Sequence, residues 1–186
     1  MLTQILTFSQ RLDNFVSKIG QFSAWLIIAM VAVSIADVIT RRFFVYGSAA
    51  IQETVWHLHA ILWASCLAWG YVENTHVRIE LLGRFFSRRT KHTIELIGCL
   101  IFLLPYCAIM TYYGIEYVTR AFAINEVSAN PGGLPYRWIS KLIIPYCMAL
   151  LGIVALSGSL RSLVGIISPS LATLHCDEKN QKELEQ

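Results

Sequence analysis

Four long apolar runs alternate with short polar stretches along the sequence. They extend from about 19 to 40, 54 to 72, 93 to 118 and 138 to 160. A helix needs about 20 apolar residues to cross about 30 Å of hydrocarbon, because it rises about 1.5 Å per residue. The pattern therefore predicts an all-α integral membrane protein with four transmembrane helices. Pro105 in the third run is expected to kink its helix.

The segment before the first run, residues 1–18, has a different periodicity. Its apolar positions recur at spacings of three, four or six, which indicates an amphipathic helix on the membrane surface. These positions are Leu2, Ile5, Leu6, Leu12, Val16 and Ile19. A frayed tail leading into the first span is the alternative. Beyond the fourth run, residues 161–186 are expected to form a polar tail on the cytoplasmic side.

Charge is scarce and unevenly placed. Charged residues make up 15% of the chain and hydrophobic residues 55%, whereas a soluble domain carries about 25% charged residues. The charges avoid the apolar runs, since an ionised group at the bilayer centre costs several kcal/mol. The net charge of +3 is too small to indicate a nucleic-acid partner.

Lys and Arg are also unequal on the two sides of the predicted spans. Both termini and the stretch between the second and third runs carry ten of the 15, and the other two connections carry five. Because basic residues accumulate on the cytoplasmic side, both termini are expected to be cytoplasmic. Arg41 and Arg42, at the end of the first run, oppose this rule locally.

The second run holds the most informative polar positions. Glu53 and His57 lie one helical turn apart, and Ala60, Ala64 and Ala68 continue the same face. Alanine at every fourth position permits close approach of another helix. Two interpretations stay open for the polar pair: contact with a partner chain or a proton relay, or a hydrogen bond that anchors the helix end.

A similar face of packing residues lies along the fourth run. Its members are Pro145, Ala149, Gly152, Leu156 and Ser159. This face suits close helix packing and by itself requires no partner chain.

Acids near the ends of the runs have bases within reach. Asp37 precedes Arg41 by four residues, Glu95 follows Lys91 by four and Glu116 precedes Arg120 by four, which predicts three ion pairs. No unpaired acid is expected at mid-membrane, and this argues against a self-contained pump or carrier. A small exporter that works as an oligomer is a further hypothesis, and it would have to use Asp37 or Glu116.

Cysteines and histidines indicate no cofactor. The five cysteines include no C-x-x-C pair, so no disulfide framework is predicted. Membrane cytochromes hold haem between histidines on different helices, whereas His57 and His59 share one run. The chain is not expected to be an enzyme or to bind a metal or cofactor. The alternative function is a membrane anchor for a haem- or quinone-linked complex.

The connection between the third and fourth runs reads NEVSANPGGLPY, from Asn125 to Tyr136. Its two prolines and two glycines force turns and end any helix. Such a loop could receive a soluble partner, and it could equally be a passive connector.

The chain resembles the small membrane subunit, of the DctQ type, of tripartite ATP-independent periplasmic (TRAP) transporters. The resemblance covers about residues 15–165 and begins with DVITRRF, Asp37 to Phe43, at the end of the first run. The stretch GSAAIQETVW, Gly47 to Trp56, matches the acidic–aromatic entry to span two. The H-V-R at residues 76–78 matches the polar end of that span.

A fourth segment resembles one branch of this family in particular. EVSANPGGLPYRWISKLIIP, from Glu126, is similar to a branch that accompanies transporters of small organic acids. One position departs from the pattern: many relatives have two adjacent acids at the start of span two, whereas here Gln52 precedes the single acid Glu53.

The resemblance implies a bacterial inner-membrane protein with two protein partners. A large multi-span permease carries substrate and sodium, and a periplasmic binding protein delivers the substrate. The small subunit braces the permease as part of its fixed scaffold and has an implied part in docking the binding protein. Contacts to the permease or among the spans are expected from Glu53, Trp56, His57, Ala60, Ala64, Ala68 and Gly152. Arg41 and Arg42 are candidates for lipid or partner contacts. The candidate docking loop contributes Asn125, Glu126, Asn130, Tyr136 and Arg137.

Overall fold

The computed structural model describes residues 2–44, 47–73 and 87–168, which form helices joined by short connections and contain no β-strand. The helices are α1 (Leu2–Ala24), α2 (Leu26–Phe43), α3 (Ala49–Val72), α4 (Arg88–Ile97), α5 (Leu104–Ala123) and α6 (Trp138–Ile167). A π-helical turn, Gly98–Leu103, joins α4 to α5. The H-V-R motif at 76–78 and the tail beyond residue 168 lie outside the described residues.

Helix α6 lies at the centre of the bundle. It packs against α1, α3, α4 and α5, and α2 packs on the far side of α3. Small residues allow these approaches. The buried small residues of α6 are Ala155, Ser157, Gly158, Ser159, Ser162 and Gly165. At Gly165 the His92 ring of α4 comes so close that a Cβ would lie 2.8 Å from it.

The irregular turn between α4 and α5 lies where proline was expected to disturb the helix. Pro105 has no N–H, so the carbonyl of Ile101 loses its usual helical donor. The six residues Gly98–Leu103 adopt the wider π-helical turn just before it. Pro145 lies within α6 and is buried against Gly114 of α5.

Helix α1 differs from the predicted surface helix at residues 1–18. It continues to Ala24, and Trp25 separates it from α2. Leu6 and Val16, expected on the membrane, are instead buried within the protein. Val16 belongs to the core cluster with Ala68, Val72, Leu150 and Val154. The prediction that Leu6 and Val16 face the membrane was wrong, because these side chains pack against helices that are distant in sequence.

The four-span prediction is supported in part. Among the described residues, three helical stretches are long and apolar enough to cross a membrane: Leu2–Phe43, Arg89–Ala123 and Trp138–Ile167. Helix α3 has 24 residues but is not among them, since Glu53, His57 and His59 lower its hydropathy. The second predicted span, about 54 to 72 within α3, therefore stays a prediction. Helix α6 continues seven residues past the predicted end at 160.

Replacing Gly20 tests the crossing of α1 over α3. A Cβ at this position would lie 2.5 Å from Trp69 Cβ. Because that atom is fixed to the α3 backbone, Gly20→Ala must separate the helices. We expect a loss of about 1–3 kcal/mol in stability and a lower melting temperature in detergent. Gly98→Ala, where nothing lies within 4 Å, is the control, and equal melting of the two variants would contradict the crossing.

Candidate functional site

The carboxylate of Glu53 binds the loop at the end of the bundle where α3 and α6 begin. The side chain is near the start of α3 and its residue is only 9% exposed. It accepts hydrogen bonds from the Ser128 hydroxyl, from Asn130 Nδ2 at 2.9 Å and from the Leu134 backbone N–H at 2.7 Å. One acid thus receives three donors from the connection between α5 and α6.

The connection folds back on itself around that acid. Ser128 N–H donates to the Leu134 carbonyl at 3.3 Å, and Gly133 N–H donates to the Asn130 carbonyl at 3.0 Å. Gly132 has φ +73°, a conformation that favours glycine. A Cβ on Gly133 would lie 2.5 Å from Ser128 and 2.9 Å from the Glu53 carboxylate. The two glycines therefore let the loop close tightly on Glu53.

A second acid fixes the base of the same loop. Glu126 forms ion pairs with Lys141 at 2.5 Å and with Arg137 at 3.7 Å. Its backbone carbonyl also accepts from Arg137 N–H at 2.9 Å. Lys141 Nζ lies 3.9 Å from the centre of the Tyr117 ring, which adds a cation–π contact to α5. Loop, α5 and α6 are joined at this point.

A cleft of about 490 Å³ opens between α3 and α6 next to the loop. His57 Nε2 is hydrogen-bonded to the Ser140 hydroxyl at its polar end. Away from this polar end, the walls of the cleft are apolar. They include Ala60, Trp63, Ala64, Ile143, Ile144, Cys147 and Met148. The arrangement is a groove with a polar end and an apolar floor, and the rings of Trp56 and Trp63 are exposed.

The residues expected to form one interface on α3 serve two purposes, and Ala64 serves both. Glu53, Trp56, His57, Ala60 and Ala64 all line the cleft. Ala64 and Ala68 are buried inside this chain, so their small side chains serve internal packing.

Gly152 belongs to another part of the surface. It lies beside Cys107, in a groove of about 370 Å³ between α5 and α6.

Two of the three predicted ion pairs near the helix ends are confirmed, and the pair of Glu95 with Lys91 stays a prediction. Arg41 is 2.6 Å from Asp37 and Arg120 is 2.5 Å from Glu116. Arg42 is exposed. These pairs are partly or largely solvent-accessible in the isolated chain, and such pairs contribute little to stability.

Sequence reasoning missed the donors that Glu53 collects and a polar network at the opposite end of the bundle. Asp13 of α1 accepts from Ser157 Oγ at 2.5 Å and pairs with Arg161 at 3.0 Å. The Ser9 and Ser157 hydroxyls are 2.7 Å apart. Asp13 is only 6% exposed. The one signal in the sequence was that Asp13 interrupts an otherwise apolar and small-residue face of α1.

Glu53 precedes the predicted second span, and its surroundings lower its pKa. The Ser128 hydroxyl, followed by the Leu134 N–H and the Asn130 amide, lowers the pKa of Glu53 from 4.5 to about 2. These donors stabilise the charged form. Glu53 is therefore ionised at neutral pH and remains an acceptor for the loop.

Removing the Glu53 carboxylate should loosen the loop. In Glu53→Ala the Leu134 N–H and the Asn130 amide lose their acceptor, and we expect backbone hydrogen exchange at Leu134 to rise roughly tenfold. Glu116→Ala removes an exposed acid of the same size and should leave that exchange unchanged. Unaltered exchange in Glu53→Ala would show that the loop does not depend on this contact.

The lowered pKa of Glu53 also predicts a pH dependence. A carboxyl whose folded pKa is depressed adds stability that is complete above pH 4.5 and is lost as pH falls through about 2. The melting temperature of the wild type should exceed that of Glu53→Gln by a constant amount above pH 4.5. The difference should shrink toward zero below it, and a difference that grows on acidification would refute the assignment.

A comparison with known proteins identifies the family of the chain. Residues 30–165 match the family model described as tripartite ATP-independent periplasmic transporters, DctQ component. The match covers α2 through nearly all of α6, including the Glu53 site. No curated protein and no solved structure matches the chain. With well over half of its length matched, the chain belongs to the DctQ component family of TRAP transporters.

Proposed function

We propose that this chain is the small membrane subunit of a sodium-coupled uptake transporter for organic anions, and that it braces the large permease as part of a fixed scaffold. Family membership supports the general role, since DctQ components work with a large permease and a binding protein. The resemblance of the segment from Glu126 to transporters of small organic acids supports the substrate class.

The observation that supports the scaffold role most directly is that the acidic side chains have partners within the chain. Within the described ranges every Asp and Glu contacts another group. The partners are Arg161 for Asp13, Arg41 for Asp37, the loop for Glu53, Trp69 for Glu73, Arg120 for Glu116 and Lys141 for Glu126, and Glu95 also has a partner. Acids committed to structure are poorly suited to bind and release sodium, so ion coupling is assigned to the permease.

The cleft between α3 and α6 is the proposed contact for the permease. Trp56 and Trp63 are exposed, Ala60 is small, and the floor is apolar. Helices associate in lipid mainly through close packing, for which a groove floored by alanine is suited. A helix of the permease would bury the two indole rings and fill the groove.

The loop around Glu53 is the proposed docking surface for the periplasmic binding protein. Its backbone is held by Glu53 and Glu126, while Asn130, Tyr136 and Arg137 remain exposed. A rigid loop with exposed polar side chains loses little conformational entropy on binding.

The proposed topology has four spans in the bacterial inner membrane, with residues 54–72 of α3 as the second span and both termini cytoplasmic. The distribution of Lys and Arg supports this orientation. The ion pair between Asp13 and Arg161 supports it too, because it holds α1 and the end of α6 at one end of the bundle.

Filling the cleft tests the permease contact. We expect Ala60→Trp to reduce permease recovered by affinity co-purification roughly tenfold, and to reduce substrate uptake by the reconstituted three-component system in parallel. Ala108→Trp, in the groove between α5 and α6, should retain both. The melting temperature of each variant shows whether it still folds.

Two results would count against the proposal. Undiminished co-purification by a folded Ala60→Trp variant would exclude the cleft as the contact. Uptake restored by this chain alone, without permease or binding protein, would exclude the scaffold role.

A further inference from the structure

Helix α1 turns one face toward the rest of the protein at alternating spacings of three and four residues. Its buried residues are Leu6, Ser9, Asp13, Val16, Gly20 and Ser23. This face packs against α3 and α6. The orientation of α1 about its own axis is therefore set by contacts within the chain, and the opposite surface faces outward.

An aromatic line runs along one flank of that outward surface. Phe8, Phe15 and Phe22 are spaced seven residues apart and are 51%, 53% and 77% exposed. Residues seven apart are displaced by only about 20° around a helix, so the three rings share one flank. Uncovered phenylalanines in a row are unfavourable in water and suited to lipid acyl chains.

A basic line lies beside the aromatic one. Arg11 and Lys18 are exposed, and each follows a phenylalanine of the line by three residues. Past the basic line, at the same seven-residue interval, come the exposed polar residues Thr7, Asn14 and Gln21. At about 100° per residue, the outward surface passes in order from aromatic to basic to polar.

We propose that α1 lies in the membrane interface with this surface on the lipid, and that Arg11 and Lys18 bind the phosphates of anionic phospholipids. The aromatic flank faces acyl chains, the polar flank faces water, and the basic line lies between them at the level of the headgroups. This order matches the transition from hydrocarbon to headgroup to water across one leaflet.

Charge complementarity favours anionic lipid as the occupant. Asp13, within reach of the basic line in sequence, is turned inward to Arg161. Neither Arg11 nor Lys18 forms an ion pair with an acid of the described residues. Among residues 2–44, 47–73 and 87–168 no acid compensates these two charges, and the phosphate of an anionic lipid supplies the opposite charge.

The aromatic line is also continuous with a surface already suited to the membrane. Phe22 is followed by Trp25 and then by α2, in which no residue is buried; Trp25 and Ile28 of α2 are both exposed. Helices α1 and α2 together form one of the three candidate membrane stretches. The lipid-facing surface of α2 thus extends directly onto the aromatic flank of α1.

Exchange measurements test the headgroup contact. The full chain is reconstituted into bilayers of phosphatidylcholine and into an equimolar mixture with phosphatidylglycerol. We expect phosphatidylglycerol to slow backbone hydrogen exchange in α1 on the order of tenfold, because two basic residues gain anionic partners. The double variant Arg11→Gln, Lys18→Gln should lose this dependence and retain the exchange seen in phosphatidylcholine.

The control removes the same charge elsewhere. Arg89→Gln with Lys91→Gln, on exposed positions of α4, should preserve the effect of phosphatidylglycerol on α1. The proposal is overturned if phosphatidylglycerol does not slow exchange in α1, if the Arg11 and Lys18 double variant behaves as wild type, or if α1 is protected only after the permease is added.

A second measurement tests the orientation without removing any charge. Phe15→Trp and Asn14→Trp place an added indole on the aromatic and on the polar flank. Acyl-brominated lipid should quench the added fluorescence of Phe15→Trp several-fold more than that of Asn14→Trp, and aqueous iodide should show the reverse order. Equal quenching at the two positions would contradict the interfacial placement.

Discussion

Helix α6 must approach four other helices closely, and the rest of the bundle depends on that approach. Lipid offers little hydrophobic driving force between helices, so association rests on packing and on polar contacts. The side chains of the serines, glycines and alanine along α6 are small, so α1, α3, α4 and α5 can pack closely against it. At Gly114, Pro145 of α6 fills the space that a side chain would take.

Polar contacts close the bundle at both ends. Glu53 holds the loop between α5 and α6 at one end, and Asp13 holds α1 to α6 at the other. In each case a nearly buried carboxylate joins segments that are far apart in sequence, and its charge is compensated by several donors, as a buried acid requires. The charged groups therefore stabilise the architecture of the described residues. This use fits the scaffold role proposed above, in which ion coupling is assigned to the permease.

The predicted site was recovered in part. Glu53, Trp56, His57, Ala60 and Ala64 do line one cleft, because residues four apart share a helix face. The donors to Glu53 were not predictable, since Ser128, Asn130 and Leu134 reach it only when the loop folds over the start of α3. Gly152 lies in a separate groove between α5 and α6, which was not predictable either, since spacing along α6 does not say which neighbour each face meets.

Local pattern alone determined that the chain is helical, where most of its apolar helices lie, and which acids pair with bases one turn away. These features depend on residues within a few positions of each other, so period and hydropathy report them directly. Tertiary structure decided how each helix is rotated. In α1 the aliphatic positions Leu6 and Val16 turned inward and the phenylalanines outward, because Ser9, Asp13 and Gly20 fit against α3 and α6. The rotation of α1 depends on contacts with residues as many as 148 positions away. The periodicity of α1 alone therefore could not predict it.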